Sequence, residues 1–97
     1  MSGGARLSAA AKAALAAALA GDGRLHCAPA AAGLRPRVRW NVAIALEAMG
    51  CLVLEEADPR ANIYCWAITE AGRARALAIP AIRAALASAT HDEKSAA

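Results

Sequence analysis

Apolar residues near the start of the chain recur with the spacing of an α-helix. They follow one another at every fourth position and form a narrow stripe on one helical face: Leu7, Ala11, Leu15 and Leu19. The pattern predicts a helix from about Ser8 to Ala20. Ser8 is a preferred residue for the N-cap, and Gly21 is typical of the position that ends a helix.

The pattern is less regular between Asp22 and Arg37. The run GDGRLHC is typical of a turn followed by a short extended piece over residues 24–26. The next run, APAAAG, predicts a short helix with Pro29 in its first turn and Gly33 at its end.

Helical periodicity returns in PRVRWNVAIALEAM, residues 36–49. Pro36 suits the first position of a helix, and Gly50 suits the position after its last turn. One face of this predicted helix carries the apolar residues that we expect to be buried: Val38, Val42, Ala45, Leu46 and Met49. Trp40 and Ile44 are large and apolar, yet they lie away from that face.

The second half of the chain predicts a β-hairpin followed by a helix. CLVLEEA (51–57) and IYCWAIT (63–69) are rich in β-branched and aromatic residues, and the polar run DPRAN between them predicts a turn. We therefore expect two antiparallel strands. Thr69 suits the N-cap of a last helix from residue 70 to about 89, which Pro80 must kink or restart.

These elements predict a mainly α fold with a small antiparallel β-hairpin, in the order α-(β)-α-α-β-β-α. The length of 97 residues fits a single domain with solvated tails at about 1–5 and 90–97. Roughly a third of the residues are alanine, which buries little area, so the core is expected to be thin and a homodimer is expected to add buried surface. The last helix has apolar residues on two faces, and these are the predicted interface: Leu77, Ile79, Ile82 and Leu86.

Three motifs occur in order along residues 33–77. LEAMGCLV resembles the LE-x-x-G-L-V exit from the recognition helix of winged helix-turn-helix proteins, although Cys51 is an extra residue in it. DPR at 58–60 resembles the acidic-x-Arg tip of their wing, and ITEAGRARAL resembles their LT-x-x-G-R entry to the C-terminal helix. The chain is most similar here to small bacterial transcriptional regulators of the MarR type.

The resemblance implies a winged helix-turn-helix fold that binds duplex DNA and regulates transcription. A recognition helix at about 36–49 would enter the major groove, and a wing at about 55–65 would lie on the DNA backbone. Arg60 would supply the charge at the wing tip. Related regulators bind small ligands near their dimer junction, but no residue pattern in this chain names a ligand.

Charge supports the same expectation independently. The net charge is +3, and no acidic residue occurs between Asp22 and Glu47. Arginines cluster there, at the start of the helix predicted at 36–49, where a helix N-terminus already favours anions. Together, the arginine cluster and the resemblance to winged-helix proteins imply these DNA-contacting residues: Arg35, Arg37, Arg39, Trp40, Asn41 and Arg60. The arginines would bind phosphates, and one base contact would come from Arg37 or from Asn41, whose amide could bond to an adenine edge.

Trp40 and Ile44 also support a second hypothesis. Large apolar side chains on the face that should meet a DNA groove suit a protein interface better than base edges. The alternative is therefore a winged-helix protein-interaction module that does not bind DNA and uses an apolar Trp40/Ile44 face.

Other classes of function find little support in the residues. The three cysteines form no CxxC pair, and with two histidines they do not give the spacing of a zinc site. No catalytic pair of histidine and carboxylate and no glycine-rich phosphate loop occurs, so we expect neither an enzyme nor a bound cofactor. Lys12 interrupts the apolar run before Ala20, which is too short to span a membrane. A cytoplasmic protein with reduced thiols is expected.

Overall fold

A computed structural model describes residues 7–96 of the chain and the side chains of residues 7–88. Over this range the fold is α+β, with four α-helices and a three-stranded antiparallel sheet. The helices and strands are, in chain order, α1 (Ala9–Ala20), β1 (Arg24–Cys27), α2 (Trp40–Ala48), β2 (Leu52–Asp58), β3 (Ile63–Ile68), α3 (Glu70–Leu77) and α4 (Pro80–Ala96). The tail predicted at 1–5 lies outside the described residues, whereas residues 90–96, predicted as tail, belong to α4.

The first helix forms as predicted. The Ser8 side chain accepts a hydrogen bond from the Ala11 N–H (3.1 Å), which satisfies one of the free donors at the helix start. At the other end the Gly21 N–H donates to Ala18 O. The buried face carries Leu15 and three small residues, so α1 approaches the rest of the molecule closely.

The central strand of the sheet is β3, in the order β1-β3-β2. Leu25 of β1 and Leu54 of β2 lie opposite Trp66, so these three side chains share the inner face of the sheet. Trp66 is 1% exposed and is the largest fully buried side chain. The core forms between this face and the helices, with Leu15 and Leu46 fully buried against it.

The second helix begins later than the sequence predicted. Residues 36–38 are instead extended beside β1: the His26 N–H donates to Pro36 O (2.9 Å), and the Val38 N–H donates to His26 O (2.8 Å). Pro36 is therefore not the first helical residue, and Arg39 is the N-cap of α2. Leu46 is buried as expected. Ala45 is exposed, however, because the buried side of α2 runs through Ala43 and Leu46.

The short helix predicted in APAAAG is a single 3-10 turn, Ala30–Ala32. It ends at Gly33, which has the left-handed φ of 71° that favours glycine at this position. At the other end of the chain, Pro80 ends the predicted long helix and restarts it, giving α3 and α4. Thr69 caps α3 as predicted, since its hydroxyl accepts from the Gly72 N–H at 2.9 Å.

Candidate nucleic-acid interface

Three exposed arginines lie within five residues in the extended segment of residues 35–39, called here the arginine strip. Its arginines, Arg35, Arg37 and Arg39, are exposed, whereas Val38 between them is buried and Pro36 is half-buried. Alternation of exposed and buried positions is the pattern of an extended chain, in which every second side chain points to one side. The strip therefore presents three guanidinium groups in a row, next to the start of α2.

Open grooves join neighbouring arginines of the strip. Arg35 and Arg37 border a groove of about 540 Å³ beside the end of α1, where the opposite wall is Ala17, Ala20 and Gly21. Arg37 and Arg39 border a second groove of about 260 Å³ along the alanines of α1. Neither groove is lined by an acidic residue. Because the α1 wall is built of small side chains, an incoming phosphate could reach the guanidinium groups.

Arg37 is the best anchored member of the strip. Its Nη2 donates a hydrogen bond to Ala28 O at 3.1 Å. The guanidinium group has further N–H donors, so this bond fixes its position while leaving capacity for an anion. The sequence had placed Arg37 and Arg39 inside the first turns of a helix; the structure places them before the helix, in the strip.

The arginines of the strip form no salt bridge with a carboxylate of residues 7–88. Where both partners lie within residues 7–88, the salt bridges are those of Arg24 with Glu55 (2.8 Å) and with Asp22 (3.7 Å). The hydrogen bond to Glu55 and its negative charge raise the pKa of the Arg24 guanidinium above its ordinary value. No carboxylate within this range forms a salt bridge with an arginine of the strip or with Arg60. These four cations can therefore meet external anions without first losing a described carboxylate partner.

The start of α2 and the tip of the β2–β3 hairpin lie at the same end of the molecule. Trp40, the first residue of α2, packs against Tyr64 near the tip, with ring centroids 4.9 Å apart. Arg60 is exposed in the turn of this hairpin, and Asp58 braces the turn by accepting from the Ala61 N–H (3.3 Å). Asn41 is exposed in the first turn of α2. The structure thus brings the predicted DNA-contacting residues of the helix and of the hairpin to one end.

Trp40 packs on the sheet on one side and is exposed to solvent on the other. Its ring lies edge-on to Trp66, with centroids 5.6 Å apart, and 45% of the residue stays exposed. Ile44, one helical turn further on, is 38% exposed. Both residues therefore lie on an outward apolar surface, as the sequence predicted. The packing of Trp40 on Tyr64 and Trp66 was not predicted from the sequence.

The four residues predicted to form a dimer interface lie partly in the core and partly on the surface of the chain. Ile82 is buried, and Ile79 and Leu86 are half-buried against the chain's own core. Leu77, at the end of α3, is 37% exposed. Most of the apolar surface of this predicted interface is therefore already used inside one copy of the chain.

Comparisons of the chain with protein-family models, with curated proteins and with solved structures gave no match. Among the described residues, histidine, cysteine, aspartate and glutamate side chains form no group of three or more that could hold a metal ion. None of the helices over this range is long and apolar enough to cross a membrane.

Proposed function

We propose that this protein binds duplex DNA through the arginine strip and the start of α2, and that it regulates transcription in the cytoplasm as a winged-helix protein of MarR-like type. The observation that carries the proposal is the row of three exposed arginines, free of salt bridges with any described carboxylate, beside a helix N-terminus. Phosphate contacts of this kind dominate the affinity of proteins for DNA.

The arrangement of elements is compatible with a winged helix. A helix leads directly into an antiparallel hairpin, and β1 adds the third strand of a small sheet. In this proposal α2 is the recognition helix and the β2–β3 hairpin is the wing. The exposed residues of α2 beyond Trp40 include Asn41, Ala45 and Ala48, which are small enough to let the helix backbone approach a groove.

The structure refines the expected division of contacts. The strip precedes α2, so its arginines would bind the phosphates that border the groove, while Asn41 is the candidate for a base contact. On the hairpin, Glu55, Glu56 and Asp58 are acidic and exposed, and they would repel a DNA backbone laid along β2. The wing is therefore proposed to contact DNA only at its tip, through Arg60.

The test is the affinity for a mixed-sequence duplex, measured by fluorescence anisotropy across a salt series. Changing Arg35, Arg37 and Arg39 together to Gln should lower the slope of log affinity against log salt by about 3, close to one unit for each lost phosphate contact. The matched control changes Lys12, Arg73 and Arg83 to Gln, which removes the same charge from exposed positions elsewhere.

Comparison of the two variants distinguishes DNA binding at the strip from attraction of DNA by the net charge of the protein. If both lower the slope equally, net charge alone holds the DNA and the strip is not the site. If the unchanged protein does not bind even at low salt, the proposal fails. A subsequent Asn41→Ala variant should leave the slope unchanged and reduce discrimination between duplex sequences.

We also propose a homodimer, which would present two copies of α2 to DNA. Leu77 is its best-placed described residue, because it is exposed at the junction of α3 and α4. Light scattering at high micromolar concentration should give twice the chain mass, and Leu77→Ser should shift that mass toward one chain. A single-chain mass for the unchanged protein would refute the dimer.

A further inference from the structure

The two edges of the sheet differ in whether they are covered. The outer edge of β1 is paired with the arginine strip through the hydrogen bonds of His26 with Pro36 and Val38. The outer edge of β2 has no backbone partner within residues 7–96. This strand is seven residues long, and every residue after Leu52 is exposed. A long uncovered edge of this kind offers free N–H and C=O groups to another chain.

The two faces of β2 have different chemistry at this edge. Leu54 lies on the inner face, opposite Trp66, and is 41% exposed. Trp40 packs on that same tryptophan, and with Ile44 it forms an exposed apolar shelf on the hairpin side of α2. On the inner face, a strand added beside β2 would therefore meet an apolar surface.

The outer face of β2 is acidic. Glu56 lies opposite Cys65, which in turn lies opposite His26, so all three share the outer face. Asp58 lies two residues further along the same face. The nearby Glu55 is already neutralised by Arg24, which leaves Glu56 and Asp58 as the carboxylates of β2 that form no salt bridge with a described residue. Side chains of an added strand on this face would lie directly beside them.

We propose that β2 is a docking edge for an extended protein segment in which apolar and basic side chains alternate. The apolar side chains of this segment would pack on Leu54 and on the shelf of Trp40 and Ile44, and its basic side chains would pair with Glu56 and Asp58. Its backbone would continue the sheet as a fourth strand.

Charge selects this occupant over a second copy of the chain. Pairing β2 with β2 of another copy would bring like-charged carboxylates together across the new strand pair, which destabilises it. The docking edge and the arginine strip are on opposite edges of the sheet, so pairing of a segment with β2 does not depend on the arginines of the strip. The shelf of Trp40 and Ile44 is shared with the surface of α2 proposed to meet DNA.

The test uses the full chain and labelled synthetic peptides. One peptide alternates lysine and valine; a second has the same composition with all lysines at one end; a third alternates glutamate and valine. The alternating lysine peptide should bind, as measured by anisotropy, and should protect β2 amides from hydrogen exchange. The other two should bind at least about tenfold more weakly.

Variants of the chain then test each face of the edge. Glu56→Lys should weaken the alternating lysine peptide about tenfold and strengthen the glutamate peptide, whereas Glu70→Lys, the same charge change at the start of α3, should not. Ile44→Ser, at a partly exposed position that a folded chain should tolerate, should weaken the lysine peptide severalfold. Equal binding of the alternating and segregated lysine peptides, or no effect of Glu56→Lys, would overturn the proposal.

Discussion

For Gly72→Ala, local helix propensity predicts a higher free energy of unfolding, whereas tertiary packing predicts a lower one. Gly72 lies inside α3, where alanine would favour the helix by about 1 kcal/mol. A Cβ at this position, however, would lie 2.9 Å from both Cα and the carbonyl carbon of Cys51 and would also collide with the Cys51 carbonyl oxygen. Ordinary carbon–carbon contacts need about 3.5–4.0 Å, so one backbone segment must move by roughly 0.6–1 Å.

The backbone of Cys51 is poorly placed to move. Its N–H donates to Leu46 O at 2.9 Å, and its carbonyl oxygen accepts from the Thr69 N–H at 2.9 Å. Overpacking of a tight site costs about 1–3 kcal/mol, and a clash with backbone belongs at the upper end. Subtracting the propensity gain of about 1 kcal/mol leaves a net destabilisation of about 2 kcal/mol. For a chain of this length the melting temperature should fall by roughly 8–16 °C.

Urea unfolding followed by tryptophan fluorescence measures this effect, since Trp66 is buried in the core. Ala74→Gly, at an exposed position of the same helix, calibrates helix propensity and should cost about 1 kcal/mol without any clash. If Gly72→Ala is as stable as the unchanged protein or more stable, the close approach of α3 to Cys51 is wrong.

Three further changes have defined outcomes. Thr69→Ala removes both the cap of α3 and the hydroxyl bond to Gly50 O, and should lower the free energy of unfolding by about 1–2 kcal/mol in urea. Leu15→Ala empties a fully buried site and should cost about 2–5 kcal/mol by the same assay; a smaller loss would mean that α1 is loosely packed. Burial raises the pKa of the Cys65 thiol, so little thiolate forms near neutral pH. Mass spectrometry should find the half-buried Cys27 alkylated before Cys65, and the reverse order would contradict the burial of Cys65.

Most of the elements could be predicted from the sequence because their signals are local. Ser8 and Thr69 cap the helices that follow them, and each cap needs only a side chain and a backbone N–H three residues away. Pro80 restarts the last helix for an equally local reason, since it cannot donate the hydrogen bond that an unbroken helix requires.

The start of α2 could not be predicted from local pattern alone. Pro36 suits a first helical turn, but the segment that follows it pairs with β1, more than ten positions upstream in sequence from Val38. That pairing depends on the position of β1 in the sheet. A local signal did exist, because arginines alternate with Pro36 and Val38 at period two, which is the spacing of an extended chain.

Thr69 and Gly72 make contacts at the same junction of the fold. These contacts explain why the motif ITEAGR occurs here without reference to any protein family. The Thr69 hydroxyl binds both the Gly72 N–H and the Gly50 carbonyl, and Gly72 lets α3 approach Cys51. These contacts join the end of α2, the start of β2 and the start of α3 at one point. A motif that serves this junction supports the hairpin geometry, but it carries no information about DNA.

The distribution of charge across the sheet does bear on function. Basic groups lie on the β1 side, where Arg35, Arg37 and Arg39 form the strip, and free carboxylates lie on the β2 side at Glu56 and Asp58. If the chain bound only duplex DNA, the acidic residues of the hairpin would weaken its attraction to the DNA backbone. Their presence is accounted for if the hairpin contacts DNA only at its tip and its free edge takes a basic partner. Because the peptide would cover Trp40 and Ile44 of α2, the helix that is also proposed to enter the groove, adding the alternating lysine peptide to a complex with duplex DNA should lower the DNA anisotropy.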